Sequence, residues 1–267
     1  MSHRSLINSQ EKLSSTTTQF ETQRAWTTLL QGARMTELVG ARNDVDSGPE
    51  SGMRRVEDSE VSTTFSCQGT GNFTFASVLK AAWASVQARN RGVNDVVFGH
   101  VVSTRPLVGS STDGLIGPCL EFIPVRVRLA EVGKPADSDA TRELLESVQN
   151  QHIEGMPHHR YGYRNIVRKC TPWGSSTRMP TFVQHHSQAE SPAELILQDG
   201  QAATARTRAR PYGLCDLWVV TAALGGGDVN VTLSYSSCVF EADMVRMLMH
   251  ELVTEIHRLC FLHGRGG

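Results

Sequence analysis

Apolar residues at Phe75, Val78, Leu79, Ala82 and Val86 follow the i, i+3, i+4, i+7 and i+11 spacing of one helix face. They predict a helix that begins after Asn72 and closes at Gly92, with Lys80, Gln87 and Arg89 off the stripe. The next segment, NDVVFGHVVSTRP, is almost continuously apolar, the pattern of a strand covered on both sheet faces. Strands are also predicted for VSTTFSC (61–67), PTFVQHHS (180–187), DLWVVTAAL (216–224) and VNVTLSYS (229–236). The last two are joined by GGGD, a hairpin signal. In LEFIPVRVRL (120–129), Val125, Val127 and Leu129 face one way while Arg126 and Arg128 face the other. Helical spacing places Trp26, Leu29 and Leu30 on a short helix over about 20–31, and Leu144, Leu145 and Val148 on one over about 139–151 that Pro157 stops. A short helical piece lies near Ile166, and a final helix over about 241–262 sets Met244, Leu248, Leu252, Ile256 and Leu259 on one seam. The fold class is therefore α/β, a mixed sheet flanked by helices.

Residues 1–19 are Ser/Thr-rich, and residues 40–58 are charged and contain GPESG, which reads as a connector. The expected organisation is a polar linker with one short helix over 1–60 and a single lobe over 61–267. With 267 residues and 39% hydrophobic content the chain has enough apolar side chains for a substantial core. Its net charge of −1 argues against a nucleic-acid partner. Arg206, Arg208 and Arg210 alternate with small residues and read as a solvated loop or strand edge. Six cysteines sit mostly beside apolar residues with no CxxC pair, the usage of reduced, buried thiols in a cytoplasmic protein. The polar N-terminus has no apolar signal core and no run is long enough to cross a membrane, so a soluble protein without a membrane partner is expected.

Several segments, taken in order, resemble the condensation domains of nonribosomal peptide synthetases, most closely fungal ones. FASVLKAAWASVQARNRGVNDVVFGHVVSTRP is similar to that family's helix, turn and strand ending in GxVVSGR, with Thr104 where Gly is more usual. IGPCLEFIPVRV is similar to IGxFxNTxPVRV, with Glu121 and Phe122 in place of Asn-Thr. GMPHHRYGYRNIVRKCTPW is similar to PFExxGxxxIxxxCTxW, with His158 and His159 replacing Phe and Glu. TRMPTFVQHHSQ resembles the family's TxFxxVxQHQN strand, and DLWVVTAALGGGDVNVTLSYSSCVF its closing hairpin. The resemblance spans about residues 20–262 and implies the C-terminal lobe of a chloramphenicol-acetyltransferase-like pair.

In that family the first lobe carries HHxxxDG, whose second histidine helps an acceptor amine attack a carrier-bound thioester. The match in this chain begins after the place where that motif would sit. The resemblance therefore implies amide formation between carrier-bound acyl and aminoacyl groups, but a chain catalytically incomplete by itself. It implies peptidyl carrier protein domains as partners, and a separate N-terminal lobe. Substrates would arrive on phosphopantetheine arms, with no cofactor bound by the chain. Ser103, Arg105, Gly117, Gln184, His185 and Ser187 would lie along the tunnel between lobes, Arg105 either anchoring a loop or meeting a pantetheine phosphate. A non-catalytic carrier-binding or lobe-binding protein, and a truncated synthetase remnant, stay open as alternatives.

The residues themselves supply no complete catalytic motif. His158-His159 has no acid or Gly at the required offsets, and His185-His186 has Glu190 at the sixth position but Ser191 at the seventh. His185 and His186 are thus the only candidates for a base, against the default of structural or solvated histidines. No CxxC or HExxH suggests a metal, no GxSxG elbow a serine nucleophile, and Gly225–Gly227 reads as a hairpin turn.

Overall fold

A computed structural model describes residues 18–39, 58–67, 69–105, 119–130, 137–187, 193–196, 201–205 and 215–263. Six strands form one sheet in the order β1-β8-β7-β4-β2-β3. They are β1 (Asp58–Ser66), β2 (Asp95–Ser103), β3 (Leu120–Arg128), β4 (Thr181–His186), β7 (Leu217–Gly225) and β8 (Asp228–Ser236), while β5 (Ala193–Ile196) and β6 (Ala202–Ala205) make a separate two-stranded sheet. Helices α1 (Gln19–Leu30), α2 (Phe75–Arg91), α3 (Ser138–Gly155), α4 (Tyr163–Cys170) and α5 (Ala242–His263) complete the described elements, with a 3-10 turn over Met156–Tyr161. The main sheet is mixed: β4 runs parallel to both β2 and β7, and the remaining neighbours are antiparallel. The expected α/β class and the expected strands and helices are present within a few residues. The β5–β6 pair was not expected.

Burial follows the sequence pattern. β2 is buried from Val96 to Val102, as its continuous apolar run requires. β7 and β8 alternate, with Leu217, Val219, Val231 and Leu233 inward. On one face the core joins the sheet to α2, α3 and α5, through Val78, Leu145, Leu248, Leu252 and Ile256 among others. On the other, α1 and α4 pack Trp26, Leu30 and Ile166 against Val97, Val102 and Ile123. The hairpin turns at Gly225, Gly226 and Gly227, all at positive φ, where a side chain would be strained. α3 ends at Gly155, and Pro157 sits in the first turn of the 3-10 segment, which needs no N–H there.

α2 departs from a one-sided amphipathic helix. Thr74 caps its start, Gly92 at φ 66 closes it, and every residue from Ser77 to Ala88 is buried, including Lys80 and Gln87. The physical reason is enclosure: the sheet lies on one side, α3 and α5 on the others. Trp83 donates its indole N–H to Thr181 of β4 at 3.2 Å, fixing the helix over the parallel strands. Arg89, at the exposed end, pairs at 3.2 Å with the buried Glu255 of α5.

α1 and the residues after it are docked on the sheet. Arg126 of β3 donates to both carboxylate oxygens of Asp95 at 2.8 and 2.5 Å, and to the carbonyls of Leu29 and Gln31 at 2.9 and 2.8 Å. It thereby satisfies carbonyls that the end of a helix leaves open. Thr36 gives its N–H to the Val97 carbonyl and accepts the Val97 N–H on its hydroxyl. The 40–57 connector and the Arg206–Arg210 stretch lie outside the described residues.

β2 and β4 pair only at Gly99–Phe182 and His100–Val183. A β-carbon on Gly99 would stand 2.3 Å from the Phe182 ring and 2.6 Å from the Met179 sulfur, both deeply buried. Neither neighbour has room to withdraw. Gly99→Ala is therefore expected to lower the unfolding free energy by about 1–3 kcal/mol through overpacking. Urea unfolding checks it, and an unchanged midpoint contradicts this account of the seam.

Candidate functional site

The pairing of β2 with β4 brings the carboxyl ends of two parallel strands side by side. Ser103 ends β2 and His186 ends β4, each three residues past the His100–Val183 pair in sequence. Ser103, Arg105 and Ser187 are exposed there, and Gln184, His185 and His186 are half-buried. Five of the six residues expected along a tunnel, Ser103, Arg105, Gln184, His185 and Ser187, thus come to one end of the sheet. Gly117 lies outside the described residues.

His185 is held by its surroundings. Its ring lies 5.0 Å from that of Phe75 on α2, and its Nδ1 is 2.9 Å from the hydroxyl of the buried Thr221 on β7. That hydroxyl donates to the Gln184 carbonyl at 3.4 Å. The arrangement makes Nδ1–H the donor to Thr221 and leaves the lone pair on Nε2. Burial, and secondarily the neighbouring His186, push the His185 pKa down to about 4. At neutral pH this ring can accept a hydrogen bond but resists taking a full proton. Gln184, one residue earlier and on the opposite face, has a buried side-chain oxygen without a partner, as does the indole nitrogen of Trp218 on β7. The main chain of Arg105 donates to the Ser103 hydroxyl at 3.4 Å, tightening the turn out of β2.

A second group of ionisable residues was not anticipated. His100 of β2, His152 of α3 and His159 of the 3-10 turn lie in series, the first pair edge-on and the second tilted, with ring centroids 5.6 and 5.1 Å apart. Lys80 of α2 is the nearby charge that lowers all three imidazole pKa values further. Burial is the largest cause in each case, holding His152 at about 4 and His159 at about 3, with His100 well below the ordinary value. Burial also brings Lys80 down to about 8. The sequence carried a signal for this cluster: a lysine inside an Ala-rich helix and a histidine inside an apolar strand, each to be placed only by tertiary packing. Of the paired histidines, His159 is buried, and His158 bonds the Thr22 hydroxyl at 3.0 Å through Nδ1.

Beside this cluster a cavity of about 750 Å³ opens between α1, α3 and the β3 edge. Among the described residues, no three His, Cys, Asp or Glu side chains are placed to hold a metal ion. No helix among them is long and apolar enough to cross a membrane. None of the six cysteines, all among the described residues, is joined in a disulfide, and five are buried.

A family model described as the condensation domain matches residues 4–260. Nonribosomal peptide synthetase 4 of Gibberella zeae is 35% identical over 170 residues, covering 62% of this chain and 2% of that protein. Nonribosomal peptide synthetase 1 of Aspergillus fumigatus is 32% identical over 219 residues, covering 79% of this chain and 3% of that protein. Among solved structures, the starter condensation domain of rhizomide synthetase RzmA superposes with a TM-score of 0.66 at 15% identity, over 96% of this chain and 55% of that one. The chain therefore spans a few per cent of these synthetases and about half of that solved chain.

The buried imidazoles have a consequence for stability. Their folded pKa values lie below the unfolded value near 6.5, so the unfolded chain takes up protons first as pH falls. Stability is full above about pH 6.5 and declines toward pH 4 for His152 and His185, and toward pH 3 for His159. The urea midpoint is expected to fall between pH 7 and pH 5. His159→Phe should reduce the corresponding fall in unfolding free energy by about 1–2 kcal/mol; a midpoint flat across this range in the wild type refutes the burial of neutral rings.

Proposed function

The chain belongs to the condensation-domain family, and from that premise we propose that it supplies one wall of a cleft in which carrier-borne acyl and aminoacyl groups are joined by an amide bond. The observation that supports this reading is that β2 and β4 run parallel as neighbours, so that Ser103, His185 and Ser187 belong to the carboxyl ends of adjacent strands. Open α/β sheets bind ligands off the carboxyl ends of their parallel strands. A phosphopantetheine arm crossing this end offers amides and a thioester carbonyl. Hydroxyls and an imidazole lone pair are fitting hydrogen-bond partners for them. Arg105, just beyond β2, is the group in this reading that meets the arm's phosphate.

The chemistry needs more than a wall. As the amine nitrogen attacks the thioester carbonyl, it must lose a proton, and the departing thiolate must gain one. His185 is poorly suited to the first task, because its burial resists the imidazolium form. The family's HHxxxDG motif does not occur in the sequence. The reading therefore assigns this chain positioning, worth several kcal/mol when two large tethered reactants must meet, and assigns proton transfer to a partner lobe that carries the motif. Its other partners are peptidyl carrier protein domains, and its setting is the cytosol, where the six thiols stay reduced.

The 267-residue protein incubated with loaded donor and acceptor carriers is expected to give no amide product above background; robust turnover overturns the division of labour. Carrier-domain affinity, measured by calorimetry, should drop at least fivefold in Arg105→Ala. Unchanged affinity removes Arg105 from the arm's path. If carriers bind yet an HHxxxDG-bearing lobe restores no product, the chain is a holding protein and the condensation reading fails.

A further inference from the structure

We propose that the cavity between α1, α3 and the β3 edge is a binding site for a small amphipathic anion, with its charged head on Lys80 and its apolar body against Trp26, Leu29 and Ile123. The site lies apart from the strand ends discussed above: none of Ser103, Arg105, Gln184 and His185 lines it. Its volume of about 750 Å³ falls within the range of pockets that enclose drug-sized ligands.

Lys80 is the reason to expect an anion. Its side chain is almost wholly buried, 2% exposed, and it lines the cavity. Among the described residues no carboxylate pairs with it, and its pKa is lowered by burial alone. A buried ammonium without a counter-charge is costly, and proteins ordinarily pair such a group. The polar groups nearest to it in the cluster are His100, His152 and His159, rings that burial keeps neutral, so the positive charge is unopposed at the inner end. His100 does not line the cavity, and its buried Nδ1 has no hydrogen-bond partner. At the rim the charges are mixed: Glu21 is engaged in its helix cap with Thr18, and Arg24 and Glu154 carry opposite signs. A dianion of high charge density gains little from such a rim, whereas a single carboxylate or sulfonate attached to an apolar body matches both ends.

The test uses the whole chain and 4-phenylbutyrate as probe, with 4-phenylbutan-1-ol and inorganic phosphate for comparison. Calorimetry should find phenylbutyrate binding, with affinity at least tenfold weaker in Lys80→Met and within twofold of wild type in Arg246→Ala, a residue of α5 that does not line the cavity. The alcohol binding as tightly as the acid overturns the role of Lys80. Phosphate binding as tightly as phenylbutyrate overturns the role of the apolar body, and no phenylbutyrate binding overturns the site. Should Lys80→Met fail to fold, trace acetylation of the wild type read by mass spectrometry serves instead. Saturating phenylbutyrate is expected to protect Lys80 at least fivefold and leave Lys169, which lies over the Tyr161 ring, unchanged; equal labelling with and without probe overturns the proposal.

Discussion

The sheet is continuous because Gly99 has no side chain. Four strands, β1, β8, β7 and β4, and two, β2 and β3, meet along a seam of two residue pairs. The Phe182 ring and the Met179 sulfur occupy the space that any other residue at 99 would claim. So short a seam would leave backbone groups of β2 open. Thr36 closes part of that gap by exchanging two hydrogen bonds with Val97. This contact also carries His100 under α2 toward Lys80.

A second constraint is the buried guanidinium of Arg126. Its side chain is 6% exposed, a placement that is unfavourable unless the donors are satisfied. Asp95 accepts two of its hydrogen bonds and the last turn of α1 accepts two more. The bidentate geometry is one that a lysine does not reproduce. Because those acceptors come from β2 and the end of α1 while Arg126 itself stands on β3, it fixes where α1 lies on the sheet. α1 in turn forms one side of the cavity that Lys80 lines.

The histidines show how burial divides labour in this chain. Five of them, His100, His152, His158, His159 and His185, have pKa values lowered chiefly by loss of water. Such rings donate and accept hydrogen bonds well but are reluctant to store a proton at neutral pH. Shared fold with condensation domains does not by itself give these rings a role, since function rests on the site and not on the architecture.

The sequence by itself determined the elements and their class. The period of the apolar residues marked α2, β2, β7, β8 and α5, and GGGD marked the hairpin, because local backbone geometry dictates which side chains share a face. The ordered set of segments from Phe75 to Phe240 was legible as condensation-domain-like. Only tertiary structure decided that Lys80 and Gln87 are enclosed, that α1 docks through Arg126, and that the rings of His100, His152 and His159 come together. Periodicity reports whether a face is apolar, but not whether a neighbour covers the opposite one. Contacts between residues some fifty positions apart, such as His100 with His152, depend on strand order and helix placement that no local pattern encodes.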